Sequence, residues 1–549
     1  MPDCKTCNNE FTIYPEDREF YNKMKVPEPT KCPDCRLINR FIFRNTRALY
    51  YRKCDFSGET ILAQYHKDVP FPVYDPELWW SDKWDASDYG RDYDFNRGFF
   101  EQFKELENQV PHFARFVTKG TIVNCDYTNC IGYSKNCYLI SESDYCEDCY
   151  YSNLLKHAND LVDCSFCYDD ESCYECLDCL ASYNLRYSQD CNGCRDSYFL
   201  FNCKSCSDCI GCINQRFQKY LIFNKQYSKE EYQKEKEKLG LNTRLGINEL
   251  QKKCQKFFEG KVRRHLQTEK NFNSFGDHLY NSKNAWYCFD SKDLEDCRYC
   301  ARVSIGVKSC MDYNSWGLNA ELAYQCSGCG TNIYNMKFCI ECDTKLSDCE
   351  YSQQCISSSN LFGCFGLQKK EYCILNKQYS EEEYYKLKEK IINQMTADKE
   401  YGEFFPKEHC SFAYNETVAM NNFPLKKEEA IKKGYKWQDK EKSTQLQKYQ
   451  VSDNIVGVKD DIVGEILTCE ECGFNFKLVK QELDFYRRLE IPIPAKCPDC
   501  RHSARMEKRN PLKLFLRKCG KCSKEIKTTY APERPEKVYC EECYQKEIY

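Results

Sequence analysis

Twelve cysteines in this 549-residue chain are spaced to hold metal. Cys4-x2-Cys7 and Cys32-Pro33-Asp34-Cys35 are twenty-four residues apart, and Cys469-x2-Cys472 with Cys497-Pro498-Asp499-Cys500 repeat that separation near the other end. Cys519-x2-Cys522 and Cys540-x2-Cys543 follow. Two such knuckles brought together supply four thiolates, the usual donor set of a structural zinc ribbon. The spacing predicts three structural Zn2+ ions, held by Cys4, Cys7, Cys32 and Cys35; by Cys469, Cys472, Cys497 and Cys500; and by Cys519, Cys522, Cys540 and Cys543.

A second cysteine pattern runs between these ends. From Ser134 to Gln215, fourteen cysteines fall on one phase of a three-residue period, and none on the other two. Repeated Cys-x2-Cys pairs would suit zinc or an iron–sulfur cluster. Leu155, Ala158, Leu185 and Leu200 share the phase, however, and cannot ligate metal. A narrow β-solenoid lumen accepts Cys, Ser, Ala or Leu alike, with Cys as a small hydrophobe, so the packed ladder is the reading adopted. Recurrence of Cys146 and Cys149 as Cys164 and Cys167 suggests eighteen residues per coil, and twenty-seven would satisfy part of the pattern. In its every-third-residue lining the stretch resembles the small Cys-rich β-helices of insect antifreeze proteins, a likeness of spacing alone.

These elements need a frame to position them. All seventeen prolines lie at or before Pro111, or at or after Pro406, which leaves a central region free to pair its backbone. Net charge is −4, with fifteen acidic against six basic residues over 121–217, and eighteen basic against thirteen acidic over 466–549. The opening Met1-Pro2-Asp3-Cys4 has no signal-peptide pattern, and no apolar run reaches membrane-spanning length. The expectation is a cytoplasmic protein with reduced thiols.

The predicted fold is mainly β: a duplicated Cys-rich β-solenoid with helical insertions, flanked by zinc-ribbon modules. Its expected domains are a zinc ribbon plus degenerate second ribbon (1–65), an aromatic-rich linker and helix (66–120) and solenoid repeat 1 (121–217). A helical segment (218–270), solenoid repeat 2 (271–375), a helical tether (376–465) and tandem zinc ribbons (466–549) complete the chain. The segment Ile222 to Tyr232 returns almost unchanged as Ile374 to Tyr384, and in each copy Ser228 or Ser380 forms a capping box with Glu231 or Glu383. Adding 465 to Cys7, Cys32 and Cys54 gives Cys472, Cys497 and Cys519, so the two ends are copies of one module. Ser57, Asp75 and Leu78 stand where the later copy has Cys522, Cys540 and Cys543, which predicts an N-terminal second ribbon without metal.

The run Cys469-Glu-Glu-Cys472-Gly473-Phe474-x-Phe476, Glu482, Phe485-Tyr486 and Cys497-Pro-Asp-Cys500-Arg501 resembles the zinc-ribbon family with the pattern CxxCGxxF, acidic-Phe-Tyr, CPxCR. Cys4, Cys7, Phe11, Glu19, Phe20-Tyr21, Cys32, Cys35 and Arg36 resemble it too, with Asn8 in place of the glycine. The resemblance covers about 35 residues at each end and implies zinc binding in a bacterial-type multi-ribbon chain; it implies no activity.

Function is read as a non-enzymatic zinc-binding scaffold that docks a macromolecule. Arg501, Arg505, Lys508, Arg509, Lys513, Arg517 and Lys518 form a basic run suited to RNA or DNA phosphates. At the other end Arg36, Arg40, Arg44, Arg47, Arg52 and Lys53 read as a solvated face, or more sharply as a phosphate-contacting one. The alternatives are a protein–protein scaffold and, less favoured, a metal-buffering or redox protein. Seven histidines and the absence of a phosphate loop, nucleophile elbow or HExxH motif argue against an enzyme, and no small-molecule substrate or membrane partner is indicated.

Overall fold

The computed structural model describes residues 1–118, 120–315, 317–439 and 449–548. It is mainly β and built on a β-solenoid, as the phase of the cysteines requires. From Asn124 to Phe223 every third residue has a positive φ, with glycine at 193 and 211. Each triplet is therefore one short side closed by a left-handed corner. Asn and Asp, which tolerate this conformation best, occupy many corners. The residue after each corner points inward, so Cys137, Cys146, Cys164, Cys176 and Cys191 line the lumen with Leu155, Leu185 and Leu200.

Asn153 pairs with Ser165, and Tyr183 with Arg195, in parallel register. One turn is thus four triplets, twelve residues, rather than the eighteen suggested by cysteine recurrence. Outward side chains stack at the same interval: Asn124 donates to Asn136 at 3.0 Å and Asn202 to Asn214 at 3.0 Å, and Tyr133 stacks on Tyr145 at 4.8 Å. The second solenoid varies its turn. Thr268 pairs with Leu279, Lys283 with Glu295, Cys310 with Ala323, and Ser347 with Ser359, giving turns of eleven, twelve, thirteen and twelve residues. These one-residue insertions account for the phase slips in its cysteines.

The lumen also explains the choice of Cys and Ser. The ladder takes two N–H groups per triplet, as where Tyr150 donates to the Leu161 carbonyl and Tyr151 to that of Tyr138. The inward residue's N–H is left over, and buried without a partner it would be costly. A hydroxyl one turn earlier accepts it: Ser152 Oγ takes Cys164 N–H at 2.9 Å, and Ser197 Oγ takes Cys209 N–H at 3.0 Å. Thiols do the same more weakly, since Cys164 receives the N–H of Cys176 and Cys179 that of Cys191. Each thiol also donates, as Cys164 Sγ does to the Val162 carbonyl at 3.4 Å.

The recurring Asn-Lys-Gln-Tyr-Ser motif closes each solenoid. Asn224 Oδ1 accepts the N–H of Ile213, and its Nδ2 donates to the Ile213 carbonyl, both at 3.0 Å. Asn376 makes the same pair with Phe365, both at 2.8 Å. A side-chain amide replaces the missing next turn. The strand then folds back, Ile222 opposite Lys225 and Ile374 opposite Lys377, and the capping boxes start helices Lys229–Glu237 and Glu381–Ala397.

The chain divides into two compact units. One comprises Met1–Arg115, Leu266–Gln438 and Pro511–Lys513; the other Phe116–His265, Asp439–Asn510 and Leu514–Tyr549. The N-terminal ribbon thus shares a unit with the second solenoid, and most of the C-terminal ribbons share one with the first. In the first-named unit the aromatic segment covers the closing end of its solenoid: Trp79 is fully buried, its carbonyl accepts from Gln368 at 3.2 Å, and the Ala86 carbonyl accepts from Asn376 at 3.0 Å. Residues 376–438 carry the 17-residue helix Glu381–Ala397 and then short helical pieces, Val418–Asn422 and Lys427–Lys432 among them; the part of the expected tether at 440–448 lies outside the described residues. Among the described residues no helix is long and apolar enough to cross a membrane.

Candidate metal centres

Each ribbon is a pair of knuckles set against a helix. Cys4, Cys469 and Cys519 each accept, through the main-chain carbonyl, the N–H of the residue four positions on: Asn8, Gly473 and Ser523, at 2.9, 3.0 and 3.0 Å. That turn needs a positive φ at its last residue, 58° at Asn8 and 73° at Gly473, so Asn serves where the family pattern has glycine. The second knuckle opens a helix: Cys32 and Cys497 are the N-caps of Pro33–Phe41 and Pro498–Glu507. Proline at the first helical position fits because its missing N–H would have had no partner.

Three groups of four thiols result, and within each group all sulfurs lie within 4.8 Å of one another. Cys7 and Cys32 sulfurs are 3.8 Å apart, Cys472 and Cys497 3.7 Å, and Cys522 and Cys540 3.8 Å. Four sulfurs at about 2.3 Å from a central ion would be about 3.8 Å apart, so the sets fit a tetrahedral thiolate-bound metal. They are much too far apart for disulfides. Burial pushes the Cys469 thiol up, but the backbone N–H groups of Cys472, Cys497 and Glu471 outweigh it and bring it down to about 6. Cys519 is lowered to about 6 in the same way, by Cys522, Cys540 and Lys521. Main-chain dipoles thus favour the thiolate at Cys469 and Cys519, whereas burial pushes Cys497 up to about 11 despite the Cys500 N–H.

The degenerate ribbon keeps the frame without the donors. Asp75 N–H reaches Cys54 Sγ at 3.4 Å, as Cys540 N–H reaches Cys519 Sγ at 3.3 Å. Asp75 instead caps helix Pro76–Trp79, accepting from Glu77 N–H at 3.0 Å.

The basic residues take an unexpected place. Arg501 and Arg505 lie on helix Pro498–Glu507 and are 3% and 1% exposed. Asp163 of the first solenoid, fully buried, meets both: Arg505 Nη1 at 2.8 Å and Arg501 Nη1 at 3.2 Å. Arg505 also donates to the Tyr151 carbonyl at 3.0 Å, and Arg501 to the Tyr486 hydroxyl at 3.0 Å. Glu482, buried beside them, accepts from Tyr151 at 2.9 Å and Tyr486 at 2.6 Å. Burial pushes its carboxyl up against the opposing pull of Arg501. Arg509 pairs with Asp178 at 3.0 Å, and Arg517 donates to the carbonyls of Ala531 and Glu536 at 3.2 and 3.0 Å. Lys513 faces Asp34 at 3.6 Å. Lys508, Lys513 and Lys518 are exposed. The basic run is therefore not one phosphate-contacting surface; its arginines are held internally.

The other end repeats this arrangement. Arg36 Nε and Arg40 Nη1 meet the buried Asp312 of the second solenoid at 2.9 and 3.1 Å, and Arg40 donates to Asn314 at 2.9 Å. Tyr299 donates to Asp17 at 2.9 Å, where Tyr151 donates to Glu482. Arg36, Arg40 and Arg44 are buried, which excludes the solvated-face reading for them. Asp163, Asp312 and Asp17 were missed from sequence, and Glu482 entered there only as part of the ribbon pattern, without its buried partners. The 465-residue offset relates Arg36, Arg40 and Asp17 to Arg501, Arg505 and Glu482, and was the available signal.

No protein-family model matches the chain, and no curated protein matches it. Among solved structures it is similar to one described as an acetyltransferase from Desulfovibrio desulfuricans G20, at 10% identity over 44% of this chain and 63% of that one. The chain thus spans less than two thirds of that protein's length, and a TM-score of 0.10 gives the likeness no weight for fold or activity.

Proposed function

We propose that this protein is a non-enzymatic scaffold stabilised by three zinc ions, whose solenoids present repeated side-chain ladders to a protein partner. The observation that carries it is the geometry of the tetrads: four sulfurs at tetrahedral separation on knuckles whose N–H groups favour thiolate. A filled four-thiolate set leaves no open coordination position for chemistry, which is the mark of a structural site. A protein partner is favoured because the arginines of the basic run are paired within the chain, whereas Tyr133, Tyr145 and Tyr334 stand about half exposed on solenoid faces. Nucleic acid is the second reading, supported by exposed Lys508, Lys518, Lys524 and Lys527 on and beside the last ribbon. Elemental analysis of protein purified without added zinc should give three zinc atoms per chain. None, or iron with visible absorption, would reject the zinc scaffold. Binding of random RNA and DNA oligonucleotides, titrated between about 50 and 200 mM salt, separates the partners: steeply salt-dependent binding selects nucleic acid, and its absence the protein reading.

A further inference from the structure

The metal ligands and the buried arginines occupy one helix at each end of the chain. In Pro498–Glu507 the metal donor Cys500 is followed directly by Arg501, with Arg505 one turn later, and Arg501 N–H bonds the carbonyl of Cys497 at 3.0 Å. In Pro33–Phe41 the same order runs Cys35, Arg36, Arg40, with Arg36 N–H on the Cys32 carbonyl at 3.0 Å. Helices of 10 and 9 residues are too short to persist alone in water. A buried ion network adds little net stability, because desolvation offsets most of its attraction, so the arginine contacts alone are a weak hold on the helix. Two further anchors are available: the apolar packing of the ribbon and the four thiols at the helix start.

We propose that each of these two metal centres is a latch: with metal bound, the arginine helix is held on its solenoid, and without it the ribbon lifts away. The solenoid surface then bared is tyrosine-bearing and charged: Asp163, Tyr151 and Tyr174 in one unit, and Asp312, Tyr299 and Tyr324 with Arg298 and Arg302 in the other. The proposal rests on the metal reading given above. It makes ribbon attachment, and access to that surface, a function of metal supply.

Hydrogen exchange on the full chain, paired with elemental analysis, tests it. In the metal-loaded protein, amides of 498–507 and 33–41 should exchange slowly. Chelator should speed both at least tenfold, and zinc returned in excess should restore protection. Cys500→Ser should lose one metal equivalent and free 498–507 while 33–41 stays protected. Arg505→Met should keep three metals yet free 498–507, showing that the arginine contact and not the ion alone makes the attachment. Loss of one metal with 498–507 still protected overturns the latch and leaves the metal reading intact. Wild-type protein without metal, its arginine helices protected, overturns both.

Discussion

Asp170 sits in the lumen among the thiols. It is about 1% exposed, it accepts the N–H of Ser182 at 2.6 Å, and burial pushes its carboxyl well above the ordinary range. It is therefore held as a neutral acid, taking the leftover N–H as a serine hydroxyl does elsewhere. An acid whose pKa rises on folding binds its proton more tightly in the folded state. Its contribution to stability is thus greatest below the unfolded value near 3.8 and is lost as pH rises toward the raised one. Asp170→Ser, which keeps the acceptor without a titrating group, should stabilise the protein at pH 7.5 by at least about 1 kcal/mol, one pKa unit being about 1.4 kcal/mol. Denaturant unfolding should show that gain shrinking toward pH 4; a variant less stable than the parent at pH 7.5 would contradict it. At this scale the sequence was legible where local spacing decides, as in the grouping of the cysteines into three sets of four and the inward phase. It misled at Arg501 and Arg505, because a charge run shows no trace of a carboxylate 342 residues away.

At the scale of elements, solenoid and ribbons were readable but the turn length was not. Lumen positions accept Cys, Ser, Leu and Ala alike, so cysteine recurrence at nine and eighteen carries no information about where the chain closes. The outward stacks do: Asn124 on Asn136, Asn202 on Asn214, and Tyr133 on Tyr145 and Tyr145 on His157 all repeat at twelve. The repeated Asn-Lys-Gln motif was visible as a duplication, yet its role required seeing the amide fill both backbone positions of a missing turn. Asn224→Ala should leave Ile213 N–H and C=O without those partners, at about 1–3 kcal/mol. Hydrogen exchange should show fraying confined to the last turn, about 212–222, with the lumen thiols further back still protected. Unchanged exchange there would mean the cap is dispensable.

Over the whole molecule, acid should weaken the unit that contains the N-terminal ribbon through two buried histidines. Burial takes the His112 pKa well below 6.5, with its ring against Phe71 at 3.6 Å and Lys104 and Arg52 nearby, and its Nε2 bonds the Glu107 carbonyl at 3.1 Å. His409 is lowered to about 3, by burial and then by Lys104, although the Glu107 carboxylate lies 3.9 Å from its ring. Both stay neutral when folded and take up a proton when unfolded. Their stabilisation is complete above about 6.5 and falls as pH drops, by on the order of 1 kcal/mol per group per pH unit. The unfolding midpoint of this unit should therefore drop between pH 7.5 and 5, and His112→Gln should remove about half of that slope. Proline placement and the duplicated ends had marked out the parts of the chain in linear order. Which ribbon belongs to which solenoid was not legible, since complementary charges among fifteen acidic residues single out no partner. That pairing has a consequence in time. Asp163 and Arg505 are 342 residues apart, so at about 5–20 residues per second a ribosome needs roughly 17–70 s to make the second after the first. For that interval the nascent first solenoid carries an acidic, tyrosine-bearing flank with no mate, and its burial waits on a helix made 342 residues later.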